Sequence, residues 1–232
     1  MGELNGAPPA RISAIAALDE PARRRLYEFV VRQPAPVSRD EAADAVQAPR
    51  NTVSFHLDKL VAEGLLEAVY ERRSGRTGPG AGRPSKLYRR APGQIAVSLP
   101  DRHYETAAHL LADALQEAQV SGEPPRTVLD RRARELGRDL GRDAPPAPVV
   151  RTGVMRALEA LGFDPRADGD GVTLVNCPFH SLAGRHTELV CGMNLCLVTG
   201  LLEGLAATGV TAHLEPAPGH CCVRLHPAGT PH

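Results

Sequence analysis

The chain has 232 residues, 42% of them hydrophobic, which is longer than one common compact domain and apolar enough for ordinary cores, so two domains are expected. Basic and acidic side chains number 27 each, yet residues 1–92 carry 15 basic against 11 acidic and residues 93–232 carry 12 against 16, so the N-terminal part is the one suited to phosphates. No run of about 18 apolar residues occurs, and the first 20 residues lack a basic start followed by an apolar core; neither a membrane span nor a signal peptide is expected, and a cytoplasmic location is. Five cysteines in such a chain are expected to be reduced thiols or metal ligands, not a disulfide framework.

Taken in order, Asp19 stands where it can cap a helix with Pro21 near its start, along which Leu26, Phe29 and Val30 form an apolar stripe opposite Arg23, Arg24, Arg25, Glu28 and Arg32. Ser38, Arg39, Asp40 and Glu41 match a capping box, which starts a second helix running to about Val46. Gln47, Ala48 and Pro49 cannot continue it, because proline lacks an amide donor and restricts its predecessor; Pro49 instead suits the first turn of a new helix over about 50–63. Gly64 ends that helix, and residues 65–70 and 85–90 read as paired strands across a tip holding Gly75, Gly78, Gly80 and Gly82. The tip lacks the spacing, lysine and following helix of a phosphate loop. Capped helix, proline turn, second helix, glycine stop and basic hairpin together make a winged helix-turn-helix over residues 10–92.

In the 50–63 helix, Val53, Leu57, Leu60 and Val61 recur at helical spacing and are predicted to pack inward, turning Arg50, Asn51, Thr52, Ser54, His56 and Lys59 outward. A recognition helix enters the major groove by its first turns, and Arg matches guanine as Asn matches adenine, so Arg50 and Asn51 are the expected base readers. Thr52 and Ser54 are placed for phosphates, and Arg72, Arg73, Arg76, Arg83 and Lys86 give the wing positive charge beside a flanking groove. The segment from Asn51 to Leu65, NTVSFHLDKLVAEGL, resembles the recognition segment of ArsR-like winged-helix repressors, as the wing sequence GRPSKLY at 82–88 does. The resemblance covers about residues 10–90 and implies a regulator of transcription that binds double-stranded DNA, repression being the usual mode.

Beyond Pro92 and Gly93, helices are predicted over 103–119 and 127–140, forming a linker or dimerisation region at 100–143. The proline-rich stretch at 144–148 is a stiff break before a small α+β domain at 149–226, with a helix to Leu161, a strand near 172–175, a long helix over about 188–206 and strands near 210–215 and 222–225. The fold class is therefore α+β: an N-terminal winged helix-turn-helix, linker helices and a small C-terminal α+β sensor domain.

Cys177 follows a strand, Cys191 lies near the start of the long helix, and Cys221 and Cys222 open the last strand, so three separated elements offer soft ligands. Cys196, five residues beyond Cys191, is turned by about 140° on a helix and reads as core. In a strand, Cys221 and Cys222 would point to opposite faces, leaving one of them for a shared pocket. The spacing is not a C-x-x-C zinc motif, although thiolates with His180 or His220 could make a zinc site. A cysteine–histidine catalyst at Cys177 and His180 would lack a base, an orienting group and an oxyanion site, so no enzyme is expected.

Cys177-Pro178-Phe179, Cys191, the sequence LLEGL at 201–205 and the late cysteines are similar to the SufR-type branch of these regulators. That resemblance implies an oxygen-labile iron–sulfur cluster, 4Fe-4S or 2Fe-2S, whose loss or change of state alters operator binding, with Cys177, Cys191 and Cys221 or Cys222 in the ligand positions. It also implies a homodimer whose sensor domain biases two recognition helices on a pseudo-palindromic site. Zinc or a small molecule is the alternative occupant.

Overall fold

The computed structural model describes residues 8–71, 84–217 and 219–229. The fold is α+β, in two compact units, Met1–Val97 and Ser98–His232. Among the described residues no helix is long and apolar enough to cross a membrane.

The first unit begins with α1 (Pro8–Ala17) and α2 (Pro21–Val31). The cap of α2 is Glu20, not Asp19: its carboxylate accepts from the backbone N–H groups of Ala22 and Arg23 at 3.1 and 2.7 Å, and those two bonds hold it below the usual carboxylate range. Helix α1 has no strong sequence signature, because the residues it buries are the small Ala14 and Ala17. A two-residue strand, β1 (Val37–Ser38), leads into α3 (Arg39–Val46). The predicted capping box is present, with Glu41 N–H donating to Ser38 Oγ at 3.2 Å and Ser38 N–H donating to Glu41 Oε2 at 2.7 Å.

Gln47 closes α3 in the left-handed region, φ 52°, and Pro49 then stands immediately before α4 (Arg50–Ala62). Strands β2 (Leu66–Glu71) and β3 (Ser85–Arg90) pair antiparallel, from Leu66 opposite Arg90 to Glu71 opposite Ser85. Strand β1 adds to the other side of β3, giving the order β1-β3-β2. Leu26, Val30, Ala42, Val53, Leu57, Leu60, Leu66 and Tyr88 form the core beneath α4. Truncating a fully buried leucine such as Leu57 there costs about 2–5 kcal/mol.

The second unit holds α5 (Tyr104–Ser121), α6 (Pro125–Asp143), α7 (Val150–Ala160), β4 (Pro165–Asp168), β5 (Gly171–Leu174), α8 (His180–Arg185), α9 (Thr187–Gly204), β6 (Val210–Leu214) and β7 (Val223–Pro227). All strand pairs are antiparallel, in the order β4-β5-β7-β6. Helices α5 and α6 do not stand apart as a linker at 100–143. Ala107, Leu110, Ala114, Val128 and Leu129 share one core with Val154, Leu158, Phe163, Leu174, Leu197, Leu201 and Leu225, and Ala144, inside the proline-rich stretch, packs against it. Strand β4 begins at a proline and carries charge, which hid it from pattern reading; as an edge strand it tolerates both.

The closest approach in this unit is between α6 and α9. Gly137 and Gly141 lie four residues apart on one helix, Gly200 and Gly204 four apart on the other, so each pair shares a helix face. A methyl built on Gly200 would sit 2.0 Å from the Arg134 carbonyl oxygen, one on Gly204 2.2 Å from that of Arg138, and one on Gly137 2.0 Å from that of Leu197. The two backbones are in direct contact, and no side chain can be inserted between them. Glu203 binds Arg134, with Nε at 2.9 Å, and Arg138, with Nη2 at 2.8 Å, across the same seam. These groups are a third to a half exposed, so the ion pairs add at most about 1 kcal/mol each and the glycine contact dominates.

Gly200→Ala must force the helices apart and is expected to destabilise this unit by more than about 2 kcal/mol in urea unfolding. Gly184→Ala in α8, where nothing lies within 4 Å of the added methyl, is expected to be neutral or slightly stabilising. Equal midpoints for the two variants would refute the account of the seam.

Candidate functional site

Two groups of residues carry chemistry, one in each unit. In the first, the buried side of α4 is Val53, Leu57 and Leu60, with Val61 partly buried, and this phase leaves Asn51, Thr52, Phe55, Asp58, Lys59 and Ala62 exposed. Two side chains, His56 and Ser54, depart from the predicted outward set, and Arg50 is outward as predicted but engaged by α3. His56 is turned inward, its side chain 12% exposed and its Nε2 3.7 Å from Glu20 at the start of α2. Arg50 is exposed but leans back onto α3, with Nε 3.3 Å from Asp40. Ser54 is half-buried. The polar face thus centres on the first two turns after Arg50, and the exposed Phe55 within it went unremarked in the sequence, because an aromatic beside His56 and Leu57 reads as core.

The wing is tied to α4 by one carboxylate. Lys86 Nζ and the Tyr88 hydroxyl both donate to Asp58 Oδ1, at 2.6 and 2.9 Å, and the Lys86 ammonium lies 5.3 Å from the centre of the Tyr88 ring. Burial pushes the Asp58 carboxyl up, but the bonds from Lys86 and Tyr88 outweigh it and leave it below its ordinary value. The bond to Asp58 raises the Lys86 ammonium in turn. A lowered carboxylate contributes stability above its unfolded pKa, near 3.8, and that contribution disappears as pH falls through the lower folded value, so the link is intact throughout the neutral range. Lys59 is likewise held, its Nζ 2.6 Å from Glu63 Oε1. Arg72, Arg73, Arg76 and Arg83, the other cations predicted for the wing, lie outside the described residues.

In the second unit, the cysteines come together as two pairs. Cys191, in the second turn of α9, is bonded to Cys222 in a disulfide with a Cα–Cα distance of 6.3 Å, a pairing not included in the expectation of reduced thiols or metal ligands. Cys177 and Cys221 are buried free thiols that act on each other electrostatically. Backbone bonds set this arrangement: Cys221 N–H donates to Leu174 O at the end of β5 at 2.8 Å, and Glu215 N–H donates to Cys222 O at 2.7 Å. Cys221 and Cys222 precede β7 and are not within it, so the alternation of a strand does not apply and each finds its own partner. Cys196 is half-buried at the edge of the core, where burial pushes its thiol up.

Asn194 follows Cys191 by three residues and so lies on the same face of α9. It is fully buried, donates through Nδ2 to Cys221 Sγ at 3.2 Å, and its Oδ1 has no partner. Arg102 donates to Cys177 O at 2.8 Å and to Asn176, which donates in turn to Gly162 O at 2.6 Å. The interaction with Cys221, helped by the Phe179 N–H and the Arg102 charge, lowers Cys177 against the opposing effect of burial. The same interaction, burial and the Cys177 charge raise Cys221, which therefore holds the proton. Asn194 and Arg102 escaped sequence analysis; a lone asparagine in the run LVCGMNLCLV was the available signal. His180 and His220 are both exposed, and among the described residues no group of three or more His, Cys, Asp or Glu is placed to hold a metal ion.

Asp58→Asn should free Lys86 for phosphates. It is expected to tighten non-specific duplex binding roughly three- to tenfold at low salt and to steepen the salt dependence by about one contact, measured by fluorescence anisotropy. An unchanged slope would place Lys86 away from the phosphates.

A family model described as a helix-turn-helix domain matches residues 18–69, the stretch from the end of α1 through α4 into β2. No curated protein and no solved structure matches the chain. The matched segment, with the exposed polar face of α4 at its centre, supports a DNA-binding regulator of the helix-turn-helix type.

Proposed function

We propose that this chain is a transcriptional repressor that binds double-stranded DNA as a cytoplasmic homodimer and senses redox or iron–sulfur status through Cys177, Cys191, Cys221 and Cys222. The observation that carries the sensing role is the gathering of these cysteines, from three distant segments, into one disulfide and one buried pair of free thiols. A protein that binds DNA inside the cell works where thiols are kept reduced, and disulfides there are usually catalytic or redox-sensing.

A cellular thiol or dithiol reductant can supply the two electrons and two protons that open the Cys191–Cys222 bond, becoming a disulfide itself, and this leaves four thiols at the junction of α9, the turn after β5 and the segment before β7. In that reduced form the donor set fits an iron–sulfur cluster, 4Fe-4S or 2Fe-2S, since soft thiolates select iron–sulfur or zinc over hard cations. Cys177, Cys191, Cys221 and Cys222 would hold it, and when bound it would supply a centre whose stability responds to oxidants. Arg102 and the Phe179 N–H favour the charged form of Cys177, and Asn194 donates to the sulfur of Cys221 from within the core. The unpartnered Asn194 Oδ1 marks a polar atom left over beside the sulfurs.

The test is anaerobic purification followed by a visible spectrum and iron, sulfide and zinc analysis, repeated on Cys177→Ser. Broad visible absorption with iron and sulfide, lost in the variant, is the expected result; a colourless zinc protein would make the site structural. If no metal is bound and operator affinity is the same with Cys191–Cys222 oxidised and reduced, redox sensing is rejected, and DNA-binding regulation stands without it.

A further inference from the structure

Phe55 is a large apolar side chain, 65% exposed, on the face of α4 that otherwise consists mainly of polar groups. At roughly 100° per residue, the exposed positions 58, 51, 62, 55, 59 and 52 fan in that order across roughly 120° of the helix, which puts Phe55 near the middle. Asn51 lies one turn before it and Lys59 one turn after. Arg50 falls about 140° away from Phe55 and leans onto Asp40, so the centre of the fan belongs to the aromatic ring and not to the arginine. The His56 ring stands T-shaped to it, 5.5 Å away between ring centres, and Phe55 is not among the core residues beneath α4.

A protein-docking surface needs a contiguous apolar patch with a desolvated centre. Asn51, Thr52, Asp58 and Lys59 ring Phe55 with polar groups, so it forms no such patch. The major groove offers one apolar group among its donors and acceptors, the C5 methyl of thymine, which phenylalanine can contact.

We propose that Phe55 is a specificity-determining residue that reads a thymine methyl group in the major groove. The inference rests on the DNA-binding function above. Asn51 lies about 6 Å from Phe55 along the helix axis, on the order of two base steps, so the thymine falls within about two base pairs of an adenine bound by Asn51. Phe55 then contributes selectivity that the hydrogen-bonding residues cannot, because uracil presents the same acceptor as thymine and lacks only the methyl.

The experiment selects bound sequences from a library of random duplexes with the full-length chain, once with dithiothreitol and once without. Each thymine of the enriched duplex is then replaced by deoxyuridine and affinity is read by fluorescence anisotropy. At one thymine in each half-site the wild-type chain is expected to lose about fourfold, the worth of one buried methyl group. Phe55→Ala, a change at an exposed position, should weaken the unsubstituted duplex and be indifferent to deoxyuridine at that thymine. If no deoxyuridine lowers affinity, or if Phe55→Ala still loses fourfold with it, the thymine contact is overturned while sequence-selective binding stands. If neither condition enriches any duplex, the DNA-binding function itself fails and the contact fails with it.

Discussion

The contact on which the second unit depends is the meeting of two bare backbones along α6 and α9. Hydrophobic burial alone would let two such helices slide, since apolar contact has little direction. Glycines facing carbonyl oxygens at each crossing remove that freedom, because any displacement must either open a void or press backbone on backbone. Helix α9 is thereby fixed, and α9 carries both Cys191 and Asn194 to the segment before β7. The sulfur chemistry is therefore mounted on the least adjustable element of the unit. Making or breaking the Cys191–Cys222 bond has to be absorbed by the segment around Cys221 and Cys222 and not by α9.

The first unit follows a different logic, in which the cations predicted to face DNA are held in weak pairs. Arg50 leans on Asp40, Lys59 on Glu63 and Lys86 on Asp58, all of them partly solvated. Pairs of this kind are worth about 0–1 kcal/mol each, so exchanging a carboxylate for a phosphate costs little while the pairs keep long side chains near their working positions. Asp58 serves a second purpose through Tyr88, whose ring is buried in the central strand β3, so that the sheet and the recognition helix share one acceptor.

The helices of both units other than α1 and α8 were legible because their causes are local. The Ser38 and Glu41 box, the proline before α4 and the Val53, Leu57, Leu60 phase all act within a few residues, and the structure repeats them with shifts of one or two positions. What could not be read depends on partners distant in sequence. The cap at Glu20 in place of Asp19 depends on which carboxylate reaches the open amides, and the inward turn of His56 depends on that same Glu20. The apparent linker at 100–143 is amphipathic in a way that fits either a dimer seam or a core, and only the glycine match with a helix sixty residues later decides for the core.

The cysteines show the same limit more sharply. Four cysteines admit three pairings, and sequence assigns none of them. What selects Cys191 with Cys222 is a matching of two local geometries. On α9, Cys191 and Asn194 lie three residues apart on one face; across from them, Cys222 and Cys221 are neighbours in an irregular segment held by Leu174 and Glu215. Because Asn194 already takes Cys221, Cys222 falls to Cys191, and Cys221 is left as a free thiol that acts on Cys177. The doubled cysteine, which looks redundant when its residues are assigned to opposite faces of a strand, is what allows one bonded pair and one thiol pair to exist side by side.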